Sequence, residues 1–230
     1  MSWFFYILKV ICYLPICLLF PVKVINGNRI KGDRVITVSN HLTALDPVIE
    51  LAYLKGFRYT LAKKELGKNA FNRVFLSWLG AIFVDRGNAD LAATKKVLSV
   101  LKKGYGLSIF PEGTRNKQSE ELMPIKEGAA MFAIKSKTKI VPVMIYTKQR
   151  LFRKNYIYVG TPFELSEFYG KRLDANALKA ASEMIEERML ATQTEMNHAI
   201  ELKRSGKQLT YNKKAKKAEK NLDKALLEIK

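Results

Sequence analysis

Residues 89–115 read ADLAATKKVLSVLKKGYGLSIFPEGTR, and this stretch decides the fold class. Leu91, Thr94, Leu98 and Leu101 recur at helical spacing, which predicts a helix over residues 89–103 with that face inward and Gly104 as its stop. The apolar run Leu107–Phe110 predicts a strand. Pro111 ends it, and Gly113 lets the backbone turn tightly. A helix feeding a strand that closes in a polar turn is half of an α/β unit. The pattern continues in both directions. Further strands are predicted at Val22–Asn26, Arg34–Ser39, Phe57–Leu61, Ala81–Val84, Ile140–Ile145 and Tyr156–Val159, mostly β-branched or aromatic. Further helices are predicted at Pro47–Leu54, Asn69–Leu79, Gly128–Ser136 and Asp174–Leu202. In the last, Ala177, Ala181, Met184, Ile185, Met189 and Met196 share a face. The predicted fold class is α/β: a mixed, mostly parallel sheet flanked by helices, with functional loops gathered at one sheet edge.

The composition narrows the function. The chain has 230 residues, 48% hydrophobic and 27% charged, which is globular rather than disordered or fibrous. Forty Lys and Arg against 21 Asp and Glu give a net charge of +19, and so large an excess calls for an anionic partner. Nucleic acid, an anionic membrane and a phosphorylated ligand all satisfy it, but none of the nucleic-acid motif patterns is present. Cys12 and Cys17 both lie in an apolar leader, so a disulfide framework and a Cys-rich zinc site are excluded. Two histidines, His41 and His198, leave no basis for a His-rich metal centre, and no metal is expected.

The ends differ from the body. Residues 1–22, MSWFFYILKVICYLPICLLFPV, carry one charge, Lys9, and are interrupted by Pro15 and Pro21. This length barely meets the roughly 20 residues of a membrane span, and Pro15 would kink one near its middle. The preferred reading is two short helical pieces dipping into one leaflet, a membrane-associating motif. A single span is second, and a helix buried on a soluble core is third. Residues 23–202 are expected to form the folded domain. Residues 203–230 form a basic tail with ten Lys/Arg and three acids, read equally as a membrane-surface helix or as a solvated extension.

Asn40-His41-Leu42-Thr43-Ala44-Leu45-Asp46-Pro47 follows a predicted strand. Asp46-Pro47 reads as a helix start, with Asp at the N-cap and Pro first in the helix. On a straight helix His41 and Asp46 would point about 140° apart. A turn between them returns the carboxylate to one imidazole nitrogen and leaves the other as a general base. The bland alternative is a hydrogen bond that merely ties strand to helix. G-x-S-x-G is absent, so the base would act on a hydroxyl carried by the substrate.

The turn Phe110-Pro111-Glu112-Gly113-Thr114-Arg115 adds a guanidinium whose fork matches phosphate. Glu112 suits either holding a substrate hydroxyl or orienting Arg115. Lys63 and Arg86 follow neighbouring strands and are expected to converge with Arg115 beside His41, whereas Lys64 reads as a solvated cation.

Together these motifs resemble the glycerolipid acyltransferase family, most closely its bacterial 1-acylglycerol-3-phosphate acyltransferases. Four blocks carry the resemblance in order: Asn40-His41-x4-Asp46, Gly80–Arg86 (GAIFVDR), Phe110–Arg115 (FPEGTR) and Val141–Ile145 (VPVMI). Thr43 and Asn116 stand where the family usually has serine. The resemblance implies His41 as base and Asp46 as its orienting partner. It implies Arg115 and Lys63 as phosphate contacts, Glu112, Gly113 and Thr114 as acceptor-site residues, and Arg86 as a weaker phosphate contact. No cofactor is implied, only a thioester co-substrate, acyl-CoA or acyl carrier protein. The implied partners are membrane lipid and lysophosphatidate, and the expected location is a membrane surface facing the cytoplasm, peripheral or monotopic. The other readings are a related acyltransferase using glycerol-3-phosphate or another lysophospholipid, and a non-catalytic basic protein binding anionic lipid or nucleic acid.

Overall fold

A computed structural model describes residues 13–85, 90–119 and 121–204. Seven strands form one sheet: β1 (Val22–Ile25), β2 (Ile36–Ser39), β3 (Arg58–Lys63), β4 (Ala81–Val84), β5 (Gly106–Ile109), β6 (Ile140–Ile145) and β7 (Asn155–Val159). Their order is β1-β7-β6-β2-β5-β3-β4. β6, β2, β5, β3 and β4 run parallel, while β7 is antiparallel to β6 and carries β1 parallel to itself. The sheet is therefore mixed and mostly parallel, as the sequence predicts. Every residue of the central strands β2, β5 and β6 is buried, the signature of strands covered on both faces. The β3–β4 edge is only partly covered.

Among the described residues the helices that flank the sheet include α1 (Asp46–Tyr53), α2 (Ala70–Trp78), α3 (Leu91–Lys102), α4 (Gly128–Ser136) and α5 (Ala175–Arg204). α3 packs on α4, β4 and β5. One compact unit extends to Gln193; Thr194 onward forms a second, of which the described part is the end of α5. Ala181, Ile185, Met189 and Met196 are buried, as their spacing predicts.

Two local expectations are corrected. The buried face of α3 is Ala93, Val97, Val100 and Leu101; of the predicted stripe Leu101 is buried and Thr94 and Leu98 are half-buried, while Leu91 is 70% exposed. The buried stripe also has helical spacing, rotated from the predicted one. Asp46 is not the N-cap of α1. Leu45 holds that position without a side-chain cap bond, and Asp46 is the first helical residue, its carboxylate turned back onto the preceding loop.

Of the leader, residues 1–12 lie outside the described residues; residues 13–19 are helical. Ile16, Leu19 and the buried Phe20 pack on the domain core, whereas Leu14 and Leu18 are 64% and 73% exposed. No helix among the described residues is long and apolar enough to cross a membrane. The tail beyond residue 204 also lies outside them.

Gly104 ends α3 with φ +87°, a left-handed conformation that suits glycine. Gly106 opens β5 where the chain is crowded: a Cβ there would lie 2.6 Å from the Asp33 carbonyl oxygen and 3.1 Å from that of Val35. Backbone atoms cannot swing aside, so Gly106→Ala is expected to lower stability by about 1–3 kcal/mol in urea unfolding; an unchanged midpoint would contradict this packing.

Candidate active site

The sheet delivers its functional loops to one edge. The parallel strands end at Ser39, Lys63, Val84, Ile109 and Ile145, all at their carboxyl ends. There the chain leaves β2 and is fixed by Asn40. Its amide donates to the Ile145 carbonyl (3.0 Å) and accepts from the Ile145 N–H (2.8 Å). This reciprocal pair pins the start of the His41 loop to the end of β6.

Both backbone polar groups of His41 are held from the Phe110–Asn116 turn. Its N–H donates to Glu112 Oε1 (2.8 Å), and its carbonyl accepts the Asn116 N–H (2.7 Å). The ring lies against Phe110, centroids 4.4 Å apart. Across the turn, Nδ1 lies 2.9 Å from Asp46 Oδ2.

Asp46 is fully buried. Oδ2 also accepts the Leu42 and Thr43 N–H groups, both at 2.7 Å, and Oδ1 accepts the Thr43 hydroxyl at 2.7 Å. With two amide N–H groups already on Oδ2, that oxygen is an acceptor toward the ring as well. In a neutral imidazole Nδ1 then carries the proton and Nε2 carries the free lone pair. The Thr43 hydroxyl, in the position the family usually gives to serine, contributes to this arrangement directly.

A cavity of about 560 Å³ opens beside His41. Lys63, Thr114, Arg115 and Lys117 supply its polar lining, and Leu61, Leu66, Leu76 and Leu79 part of its apolar lining. Thus His41, Lys63, Thr114 and Arg115 share one space, with Asp46 behind the ring. Glu112 is 3% exposed and lies under the His41 backbone instead of lining that cavity; burial pushes its carboxyl up, and the His41 N–H draws it back. Gly113 turns with φ +72° against the Lys126 side chain, on a separate, mostly apolar cavity of about 210 Å³. Lys64 is exposed and 3.9 Å from Asp85, as a surface cation should be. Arg86 lies outside the described residues.

Sequence reasoning missed several members. Lys117 looked like any surface lysine. Asn40 and Asn116 act through amide and backbone bonds that spacing does not reveal. Glu50, one turn after Asp46 on α1, is buried and accepts the Ser108 hydroxyl of β5 at 2.7 Å. Near it, buried Arg58 donates to the Lys55 carbonyl at 2.6 Å. Burial pushes the Glu50 carboxyl up, against the pull of the Ser108 hydroxyl and the Arg58 guanidinium. Glu50 thereby ties the helix that carries Asp46 to the central sheet.

The region from residue 21 to 146 matches the family model described as "Acyltransferase", and the chain belongs to that family. All four sequence blocks lie inside the match. Relatives include the 1-acyl-sn-glycerol-3-phosphate acyltransferase of Borreliella burgdorferi, 35% identical over 130 residues, covering 56% of this chain and 52% of the relative. The enzyme of the same name from Helicobacter pylori is 34% identical, covering 55% and 54%. The chain thus spans about half the length of these relatives. The crystal structure of the 1-acyl-sn-glycerophosphate acyltransferase of Thermotoga maritima shares the fold, with a TM-score of 0.63 over 84% of this chain and 79% of that one, at 22% identity.

A group with a raised folded pKa contributes its stability below the unfolded value and loses it as pH climbs through the folded one. For Glu50 that loss begins near the ordinary glutamate value and continues upward. Glutamine mimics the protonated acid at every pH. The stability advantage of the parent over Glu50→Gln is therefore expected to shrink from pH 5 to pH 8 in thermal melts; a gap independent of pH would show that the buried carboxyl does not titrate there.

Proposed function

We propose that the protein transfers a fatty acyl chain from a thioester, acyl-CoA or acyl carrier protein, to the sn-2 hydroxyl of 1-acylglycerol-3-phosphate, giving phosphatidate. The observation that carries this reading is a His41 held by Asp46 through Nδ1 and lining one cavity with Lys63, Arg115 and Lys117. The activity for which the relatives are named supports the choice of acceptor.

The chemistry follows from the tautomer. The phosphate of the acceptor pairs with the three cations, and its acyl chain takes the leucine-lined wall. Held this way, the hydroxyl presents its proton to Nε2. As its oxygen attacks the thioester carbonyl, Nε2 takes that proton, and buried Asp46 stabilises the imidazolium through Nδ1–H. The tetrahedral oxyanion collapses, the C–S bond breaks, and the leaving thiolate recovers the proton from Nε2. The ester and a free thiol are the products, and no acyl group is attached to the protein.

His41→Ala is expected to lower kcat by about 10²–10⁴-fold, with folding intact by circular dichroism. Labelled lysophosphatidate and acyl-CoA, with products separated by chromatography, provide the readout; full turnover in this variant would remove the ring from the reaction. Arg115→Ala is expected to raise the acceptor KM by about tenfold or more, as loss of a charge-assisted phosphate contact requires. A fall in kcat alone, with KM unmoved, would place Arg115 elsewhere in the reaction.

A further inference from the structure

The loop between β6 and β7, Thr147-Lys-Gln-Arg-Leu-Phe-Arg-Lys154, is unlike the other turns of the sheet. It carries four cations, Lys148, Arg150, Arg153 and Lys154, and no acid. At its tip Leu151 is 56% exposed and Phe152 69% exposed. Phe152 also adopts φ +51°, in the left-handed region that disfavours a bulky side chain. In water this tip is doubly unfavourable: apolar surface stays wet, and the backbone holds a strained conformation.

The tip is nevertheless built firmly. The Phe152 N–H donates to the Leu19 carbonyl (2.7 Å). Asn155, 3% exposed, accepts the Arg150 N–H (2.9 Å) and donates to the carbonyls of Arg150 (3.1 Å) and Arg153 (2.9 Å). One buried amide thus staples the loop into the shape that presents Leu151 and Phe152 outward. Surrounding structure that maintains strain points to a use for the strained shape.

Topology says where the tip lies. Because β1 and β7 run against the other five strands, the segment entering β1 and the loop entering β7 emerge at the edge where β2, β3 and β5 end, the edge that holds His41. Two bonds confirm this placement. Lys148 Nζ donates to the Lys117 carbonyl (2.8 Å), and Lys117 lines the His41 cavity. The Leu19 bond joins the tip to the helical residues 13–19, where Leu14 and Leu18, one turn apart, are also exposed. Four exposed apolar side chains on two linked segments, ringed by cations, match an anionic lipid surface: apolar groups enter the acyl layer and lysines and arginines meet the headgroups.

We propose that loop 147–154 is a preformed lipid-inserting tip that, together with Leu14 and Leu18, seats the cavity edge on an anionic bilayer. The proposal does not depend on the acyl-transfer reading, because vesicle binding is measured without substrate.

The test uses the full chain with Trp3→Phe and Trp78→Phe, so that F152W provides a single fluorescent reporter. Vesicles of phosphatidylcholine and phosphatidylglycerol carrying brominated acyl chains are added. The reporter is expected to shift to shorter wavelength and to be quenched, much less so with pure phosphatidylcholine. Protein that floats with the anionic vesicles while the reporter stays unshifted and unquenched would overturn the proposal. In the parent sequence, L151D/F152D is expected to lower the partition coefficient by about tenfold or more with an unchanged melting temperature. Equal flotation of this variant would also overturn the proposal. So would a reporter that responds to an acidic acyl carrier protein and not to vesicles, which would make the loop a protein-docking element.

Discussion

The carboxylate of Asp46 is the constraint on which the rest of the site depends. Fully buried, it accepts two amide N–H groups, a threonine hydroxyl and the imidazole of His41. A buried carboxylate is costly unless its lone pairs are filled, and here the five-residue loop closes on itself to fill them. The same closure sets the ring's tautomer and direction. The direction of the His41 ring and satisfaction of a buried carboxylate are one structural requirement at this position, so the loop cannot relax without giving up both.

Around this centre the sheet supplies distance and sign. Parallel strands bring loops far apart in sequence to one edge, and several of those loops end in a cation. The overall charge of +19 says only that an anion is wanted. The placement of Lys63, Arg115 and Lys117 around one cavity with His41 and a leucine-lined wall puts positive charge and apolar surface side by side.

Much of this was legible in the chain. All seven strands lie within two residues of the predicted bounds at both ends, because short β-branched runs bounded by Gly, Pro and Asn leave little choice. β3 runs two residues beyond Leu61 and so takes in Lys63 itself. The His41–Asp46 contact was legible too, since the spacing forbade a straight helix and demanded a turn. What the sequence concealed depends on partners remote along the chain. Glu112, expected as an acceptor-site residue, accepts with Oε1 a backbone N–H 71 residues away, a bond that spacing does not reveal. Glu50 carried no signal on a mostly apolar helix. The α3 face was right at Leu101 and wrong at Leu91, because bulk along a helix does not reveal which side a sheet will accept.

The brace beneath His41 has a kinetic meaning. Its amide and carbonyl are both held by the turn at residues 110–116, and Asn40 reaches across to Ile145, 105 residues on. These closures join the first strand of the parallel set to the fourth and the last in chain order, so they form only when non-local pairing is complete. A partly folded chain, even one with its helices and individual hairpins in place, has an imidazole with no fixed direction. The direction of the His41 ring is therefore also a reporter of finished assembly: it is fixed only when these closures form, and it is lost in any local opening that parts the early strand from the later ones.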